Sequence, residues 1–313
     1  FDGLPRNTSS HIVSSCPNPT FQNLGFGKLA NVDAVDFSFP DENPANAKVL
    51  SQYKGNSPKL YLGAAKWGRK DWEGKLYPKG TKAGEYLSYY NHHFNSIELN
   101  ATHYNMFGND LVSKWAGMVD NDFKFCPKVH QLISHRHRLK NAMAYTDQFL
   151  DIMAHFGDKL GTIFLQMHAN FKTDKFEDLK EYLEAFPKGF KLAVELRNQD
   201  WFNTPLFDLL ERLEMPLIIT DTAGERQLVH SRITCNEVFV RFVGNNLHSS
   251  DYMRINDWID RIERWKEQGL SKIWFFIHQH DEQYTPELAN YAAEKLNERL
   301  GLQLKVPSFI GLF

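Results

Sequence analysis

The sequence predicts an α/β protein: a single (β/α)8 TIM barrel with an N-terminal extension. Three observations predict it. From residue 59 onward, eight short apolar runs recur. Most are separated by longer stretches in which apolar residues return every three or four positions, the helical period, while the runs have the length and apolar content of strands. Polar and charged residues collect at the end of nearly every run, as expected where function gathers at the C-terminal ends of barrel strands. A doubly wound open sheet is the alternative, but it would more often begin with a glycine fingerprint. Gly63 and Gly68 around "AAKW" do not fit G-x-G-x-x-G, and no internal repeat is visible.

Residues 1–58 are expected to form an N-terminal arm and residues 59–313 the barrel. The first 24 residues are rich in Ser, Asn and Pro and show no periodicity. They lack the basic start and long apolar core of a secretory signal and read as an arm, a processed leader or appended residues. The stretch to about residue 58 is expected to wrap the outside of the domain.

The first predicted strand, "LYLGAAKW" (60–67), ends in Lys66 and Trp67, and the helical pattern "AGEYLSYYNHH" (83–93) follows. In the second, "FNSIELNAT" (94–102), Ile97 and Leu99 alternate with Ser96, Glu98 and Asn100, so the polar trio shares the inner face. Thr102 and Tyr104 come next. The third, "FKFCPKV" (123–129), ends in Lys128 and His130. Beyond it "HQLISHRHRL" (130–139) is basic and reads as a mobile loop over the mouth or a solvated helix start, before the helical stretch 145–159. The fourth, "GTIFLQMH" (161–168), ends in Gln166 and His168, and helix 175–186 follows. In the fifth, "KLAVELR" (191–197), Val194 and Leu196 face helices, which leaves Glu195 with Ala193 and Arg197. In the sixth, "PLIITDT" (216–222), Asp221 and Thr222 compete for the interior. The seventh, "EVFVRFVG" (237–244), sends Val240 and Phe242 outward and Arg241 inward, and "GNN" follows. The eighth, "KIWFFIHQH" (272–280), ends in His278 and His280, after helix 255–269. A closing helix spans 285–301, with Thr285 as its cap, Pro286 in its first turn and Gly301 at its end.

The bulk composition narrows the function classes. A chain of 313 residues, 42% hydrophobic, can bury a large core. Lys plus Arg is 36 against 38 for Asp plus Glu, so a general nucleic-acid coat or a polybasic membrane binder is not expected. No apolar run reaches the ~18 residues of a membrane span. Cys16, Cys126 and Cys235 are widely spaced and show no zinc pattern, which suits reduced thiols and a cytoplasmic location.

Glu98 and Glu195 are paired carboxylates on non-adjacent strands. One reading is general acid and base, with one pKa raised by its neighbours. The other is ion pairing, Glu195 with Arg197 or Arg241 and Glu98 with Lys128. A retaining glycosidase also uses two carboxylates, but Gln166 and Arg241 occupy the strand ends where familiar barrel versions place them. Lys128, Arg197 and Arg241 form a cationic mouth suited to carboxylate or phosphate. Asn245, in the loop after strand seven, lies where many barrels bind phosphate through backbone amides. His278 and His280 share a face and, with Glu195 and Asp221, are the ligand candidates if a divalent metal binds, although no metal motif supports one. Trp67, Trp72 and Tyr104 stack on a ring or wall a pocket.

Seven segments in order resemble the DUF72 (YecE-like) family of TIM-barrel proteins. They are "YLGAAKWGRKDWEGKLYPKG", "YYNHHFNSIELNATHYN", "FKFCPKVHQLISH", "LGTIFLQMHANF", "LAVELRNQDWF", "IITDTAG" and "VFVRFVG". The resemblance runs from about Leu60 to about Asn290. It implies a TIM barrel and supplies no reaction, because the family is named for its unknown function. The chain departs from the family pattern at Asn105, commonly Arg, and at His103, commonly Phe. It departs again at "IHQHD", where His278 and Gln279 replace an Asn pair. A mechanism resting on those family side chains would not carry over.

The expectation is an enzyme acting on a small anionic, phosphorylated or sugar-like substrate. Lys128, Arg197 and Arg241 hold the anion, and Glu98 and Glu195 transfer protons. Asp221 orients a partner, and His278 is a second acid or base. Trp67, Asn100, Tyr104, Gln166 and Asn245 complete the substrate-binding set. Hydrolysis, isomerisation and lyase chemistry stay open. No cofactor is expected, no membrane and no long nucleic acid. The rivals are a metal-dependent phosphoester hydrolase and a non-catalytic ligand-binding barrel. The sequence does not fix an oligomeric state.

Overall fold

The structure is a computed structural model that describes residues 27–53 and 58–311. The expectations for residues 1–24, Cys16 included, lie outside the described residues. Each of the eight apolar runs contains a strand: β1 (Lys59–Ala64), β2 (Ser96–Leu99), β3 (Lys124–Pro127), β4 (Ile163–Gln166), β5 (Leu192–Glu195), β6 (Ile219–Asp221), β7 (Glu237–Gly244) and β8 (Lys272–Gln279). All strand pairings are parallel. Six strands run in the order β3-β2-β1-β8-β7-β6, and β4 pairs with β5. Single bridges join the two sheets, Lys128 to Phe164 and Val194 to Leu217. The fold is therefore mixed α/β around a mainly parallel central sheet, TIM-barrel-like in arrangement.

Most strands stop before the polar residues that end the apolar runs. Lys128, Arg197, Thr222 and His280 lie just beyond them. Asn100 already begins the short turn α3, with α1 (Ala45–Leu50) and α2 (Tyr86–His93) before it and α3 itself at Ala101–Tyr104. The further helices are α4 (Asn109–Gly117), α5 (Met143–Met153), α6 (Phe176–Ala185), α7 (Thr204–Arg212), α8 (Ser249–Gln268) and α9 (Thr285–Leu300). The Asn203 side chain caps α7 by accepting from Leu206 N, and proline follows in the first turn. At α9, Thr285 is the first helical residue rather than the cap, and its hydroxyl donates to Glu282 Oε2 at 2.6 Å. Gly301 ends this helix at φ 67°, the left-handed region glycine enters freely.

Period-two alternation divides the apolar residues into two cores. Outward residues such as Leu62, Ile97, Val194, Val240 and Phe242 pack against the helices. Inward residues Cys126, Phe164, Ala193, Ile218, Phe239, Trp274 and Phe276 form a separate buried cluster. At Gly63 a Cβ would lie 2.3 Å from Ser96 O, so only glycine lets β1 and β2 approach there. Residues 27–53 lie against the β6–β7 connection and α8. Asn46 Nδ2 donates to Ser231 O at 2.6 Å, Arg261 donates to Pro40 O at 2.6 Å, and Gly224 N donates to Gly27 O at 2.8 Å. The basic segment after β3 is not a solvated loop. Leu132–Arg136 form a π-helical turn with Ile133 and Ser134 buried. No helix of the described residues is long and apolar enough to cross a membrane.

Candidate functional site

Above the inward apolar cluster, at the C-terminal ends of the strands, lies a connected polar layer. Arg241 on β7 is its hub. Its Nε donates to Glu98 Oε2 and its Nη2 to Glu98 Oε1, both at 2.9 Å, a two-pronged grip on the β2 carboxylate. Its Nη1 donates to Glu195 Oε2 on β5 at 2.8 Å. Arg197 Nε reaches Glu195 Oε1 at 2.8 Å, and Gln166 Nε2 reaches Oε2 at 2.7 Å. Lys128 Nζ donates to Gln166 Oε1 at 2.6 Å. On the other side Asn100 Nδ2 donates to Glu98 Oε1 at 2.7 Å. His278 Nε2 stands 3.0 Å from Glu98 Oε2, and its Nδ1 lies 3.7 Å from Glu282 Oε1.

Six strand ends thus converge on one network, and burial makes each charge in it depend on its partners. Burial alone would raise the Glu98 carboxyl, but Arg241 and His278 pull it well below the ordinary range. Glu195 is likewise buried, yet Arg241 and Arg197 hold it down to about 2. The raised carboxyl expected of an acid–base pair is absent: both glutamates are ionised and engaged. The lone pairing expected between Glu98 and Lys128 is replaced by Arg241. Burial would lower the His278 imidazole, but Glu98 and Glu282 push it up to about 9, so it is an imidazolium at neutral pH. Burial and the neighbouring Arg241 bring Lys128 down to about 8. Among the described residues Lys128 forms no ion pair. With His278 charged, four cations face three carboxylates.

His103 and His135 flank Lys128. Burial and its charge hold both imidazoles at about 4, and His135 is edge-on to His103 at 4.7 Å and to His168 at 5.8 Å. The Thr220 hydroxyl, level with Arg241 in the β6–β7 register, is buried with no partner among the described residues.

Several expected members stand elsewhere. Asp221 pairs in register with Phe242, which places it on the outer face. There it accepts from Arg254 at 2.9 Å, from Trp258 Nε1 at 2.8 Å and from Arg226. It is a strut between β6 and α8, outside the Arg241 network. The backbone amide at Asn245 is already occupied, donating to both Asp251 oxygens at 2.9 and 2.8 Å. Asn246 N donates to Gln279 Oε1 at 2.7 Å, so the loop after β7 holds the protein's own groups where an anion was expected. Trp67 packs edge-on against Trp115, Trp72 is in the core, and Tyr104 is 63% exposed at the rim. His280 is half-buried, with its Nε2 atom buried and unpartnered among the described residues. Glu195, Asp221, His278 and His280 do not converge, and no three His, Cys, Asp or Glu side chains of the described residues gather as metal ligands. Glu282 was missed by sequence reasoning. Its signal was an acidic residue four positions beyond the end-of-strand His278.

A family model described as "Protein of unknown function DUF72" matches residues 61–308. The chain belongs to the DUF72 family. It is 24% identical to the YecE protein of Escherichia coli over 265 residues, covering 77% of this chain and 94% of YecE. It is 24% identical to the YunF protein of Bacillus subtilis, covering 60% of this chain and 71% of YunF. Among solved structures, a DUF72 protein of Enterococcus faecalis superposes with a TM-score of 0.62 at 19% identity, over 80% of this chain and 99% of that one. A DUF72 protein of Thermotoga maritima gives 0.61 at 19%, over 78% and 99%. These likenesses establish the DUF72 fold of the chain.

Proposed function

We propose that this DUF72 chain is an enzyme acting on a small anionic substrate at the C-terminal mouth of a complete (β/α)8 barrel, residues 59–313, with residues 1–58 as its extension. The barrel reading is supported by β1 pairing with both β2 and β8, and by the bridges that span the remaining gaps. The observation that carries the functional reading is Lys128. It is a buried cation without a carboxylate, inside a network that fixes every neighbour and leaves one positive charge in excess. An anion completes that balance, and a buried charge is stable only when paired.

In this reading Lys128 and Arg197 hold the anionic group, and phosphorylated and sugar-like acids belong to the class. His278 is the proton donor: its Nδ1 faces Glu282 at 3.7 Å, an ion pair longer than a hydrogen bond. Glu98 and Glu195 keep Arg241 and His278 in place and are positioning residues. Their full engagement also favours a second reading, a non-catalytic ligand-binding barrel. The free buried thiols Cys126 and Cys235 support a cytoplasmic location.

Native mass spectrometry of chelator-free protein, followed by binding and turnover of the anion it carries, tests the proposal. Lys128→Gln should weaken binding roughly tenfold or more. His278→Asn should stop turnover and spare binding. Binding unchanged in Lys128→Gln would refute the assignment, and tight binding with no product from wild-type protein would select the second reading.

A further inference from the structure

The opposite end of the sheet carries a second concentration of charge. The strands begin there, and the pleat that places Tyr61, Cys126, Ala193 and Trp274 around the inner apolar cluster also aims the residues two positions earlier inward. Those residues are Lys59, Lys124, Lys191 and Lys272. The register confirms the level: Lys59 lies beside Lys272, and Lys272 beside Glu237. The four lysines line one cavity of about 560 Å³. Its floor is apolar and rigid, with the Trp274 and Tyr61 rings stacked at 4.3 Å. Its rim includes Gly157 and Gly189, where a Cβ would meet nothing, so the loops leave the opening clear.

Three carboxylates lie near these four lysines, and Asp158 itself lines the cavity. Lys272 Nζ donates to Glu237 Oε2 at 3.1 Å, but Glu237 is also held by Trp274 Nε1 at 2.5 Å and by the Thr162 hydroxyl. Lys124 Nζ is taken by the Asp158 carbonyl. Asp158 and Asp122 are the nearby acids felt by Lys124, which burial lowers and which Lys59 and Lys272 lower further by repulsion. The Lys59 and Lys191 side chains make no hydrogen bond or ion pair among the described residues. The strand-start end of such folds ordinarily serves stability, and mutually repelling lysines do not serve it.

We propose that this cavity is a second anion site, separate from the mouth, for a compact polyanion bearing two or more phosphoryl groups. Lysine ammonium groups suit phosphoryl oxygens as point charges, and four around one opening can contact two groups at once. The mouth site, built round a single unpaired lysine, suits one anionic group.

Isothermal titration of the full chain with pyrophosphate at low ionic strength tests this. Wild-type protein should bind it, and added salt should weaken the binding. A Lys59→Gln/Lys191→Gln variant changes two exposed side chains that the core does not need, and should bind roughly tenfold or more weakly. Lys128→Gln, at the other end, should leave pyrophosphate binding unchanged. Absence of binding, undiminished binding in the double variant, or loss of binding in Lys128→Gln would each overturn the second site. The last of these would instead assign pyrophosphate to the mouth.

Discussion

Replacing Arg241 with Met tests the network at its hub. The substitution removes three charge-assisted hydrogen bonds and leaves Glu98 and Glu195 buried. The cost can be worked from two directions. The Glu195 carboxyl sits at about 2 against an ordinary 4.5, and through linkage that displacement corresponds to about 3 kcal/mol shared among its partners. Removing one partner of a buried ion pair typically costs ~3–5 kcal/mol. Arg197 and His278 remain beside the two carboxylates, so the lower part of that range is expected at pH 7. The pH dependence has a definite sign. In the native protein both carboxyls are depressed, so their contribution is present above 4.5 and is lost only as pH falls below it, for Glu195 toward about 2. In Arg241→Met, burial without the guanidinium raises them, and they take up protons on folding. The deficit of the variant relative to the native chain should therefore shrink from pH 7 to pH 5, because the other titrating groups act alike in both. Guanidinium unfolding followed by tryptophan fluorescence at both pH values measures this. Adding Glu98→Gln and Glu195→Gln to Arg241→Met should recover much of the loss at pH 7. A deficit under ~1 kcal/mol at pH 7, or one equally large at pH 5, would refute the reasoning.

Two other expectations are separable from that one. Asp221→Asn should destabilise the fold by ~2–4 kcal/mol, because it leaves Arg254 buried with one carboxylate fewer, yet leave anion binding at the mouth intact; a binding titration beside an unfolding curve shows both. The His278 imidazole, raised to about 9 from an ordinary 6.5, contributes stability fully below pH 6.5 and loses it as pH rises through 9. Imidazole NMR should find one histidine still charged at pH 8, and that signal should vanish in His278→Asn; a His278 that titrates near 6.5 would contradict the pairing with Glu98 and Glu282.

Much of the site was legible because strand alternation is a local property. Glu98, Glu195 and Arg241 face inward because Ile97, Val194, Val240 and Phe242 must face the helices, and a period of two leaves no other choice. Asp221 was ambiguous because "IITDT" is apolar or neutral on both faces. The register against β7 resolves it, since Phe242 beside Asp221 belongs to the helix-facing core. The amide-rich loop at Asn245 misled for a different reason. Backbone N–H groups there do bind a carboxylate, but it is Asp251 of α8, six residues away along the chain.

The sequence by itself determined the eight parallel strands, the separation of inner from outer residues and the polar end of the sheet, because periodicity is written into neighbouring residues. Only the tertiary structure decided which charges meet. Arg241 grips Glu98 across 143 positions of chain, and His278 reaches the same carboxylate across 180. The pKa values of those groups are set by burial and by partners at about hydrogen-bond distance, and both arise only when strands distant in the chain pack side by side. The same packing left Lys128 without a carboxylate, and it gathered four strand-start lysines, unremarkable in sequence, round one opening.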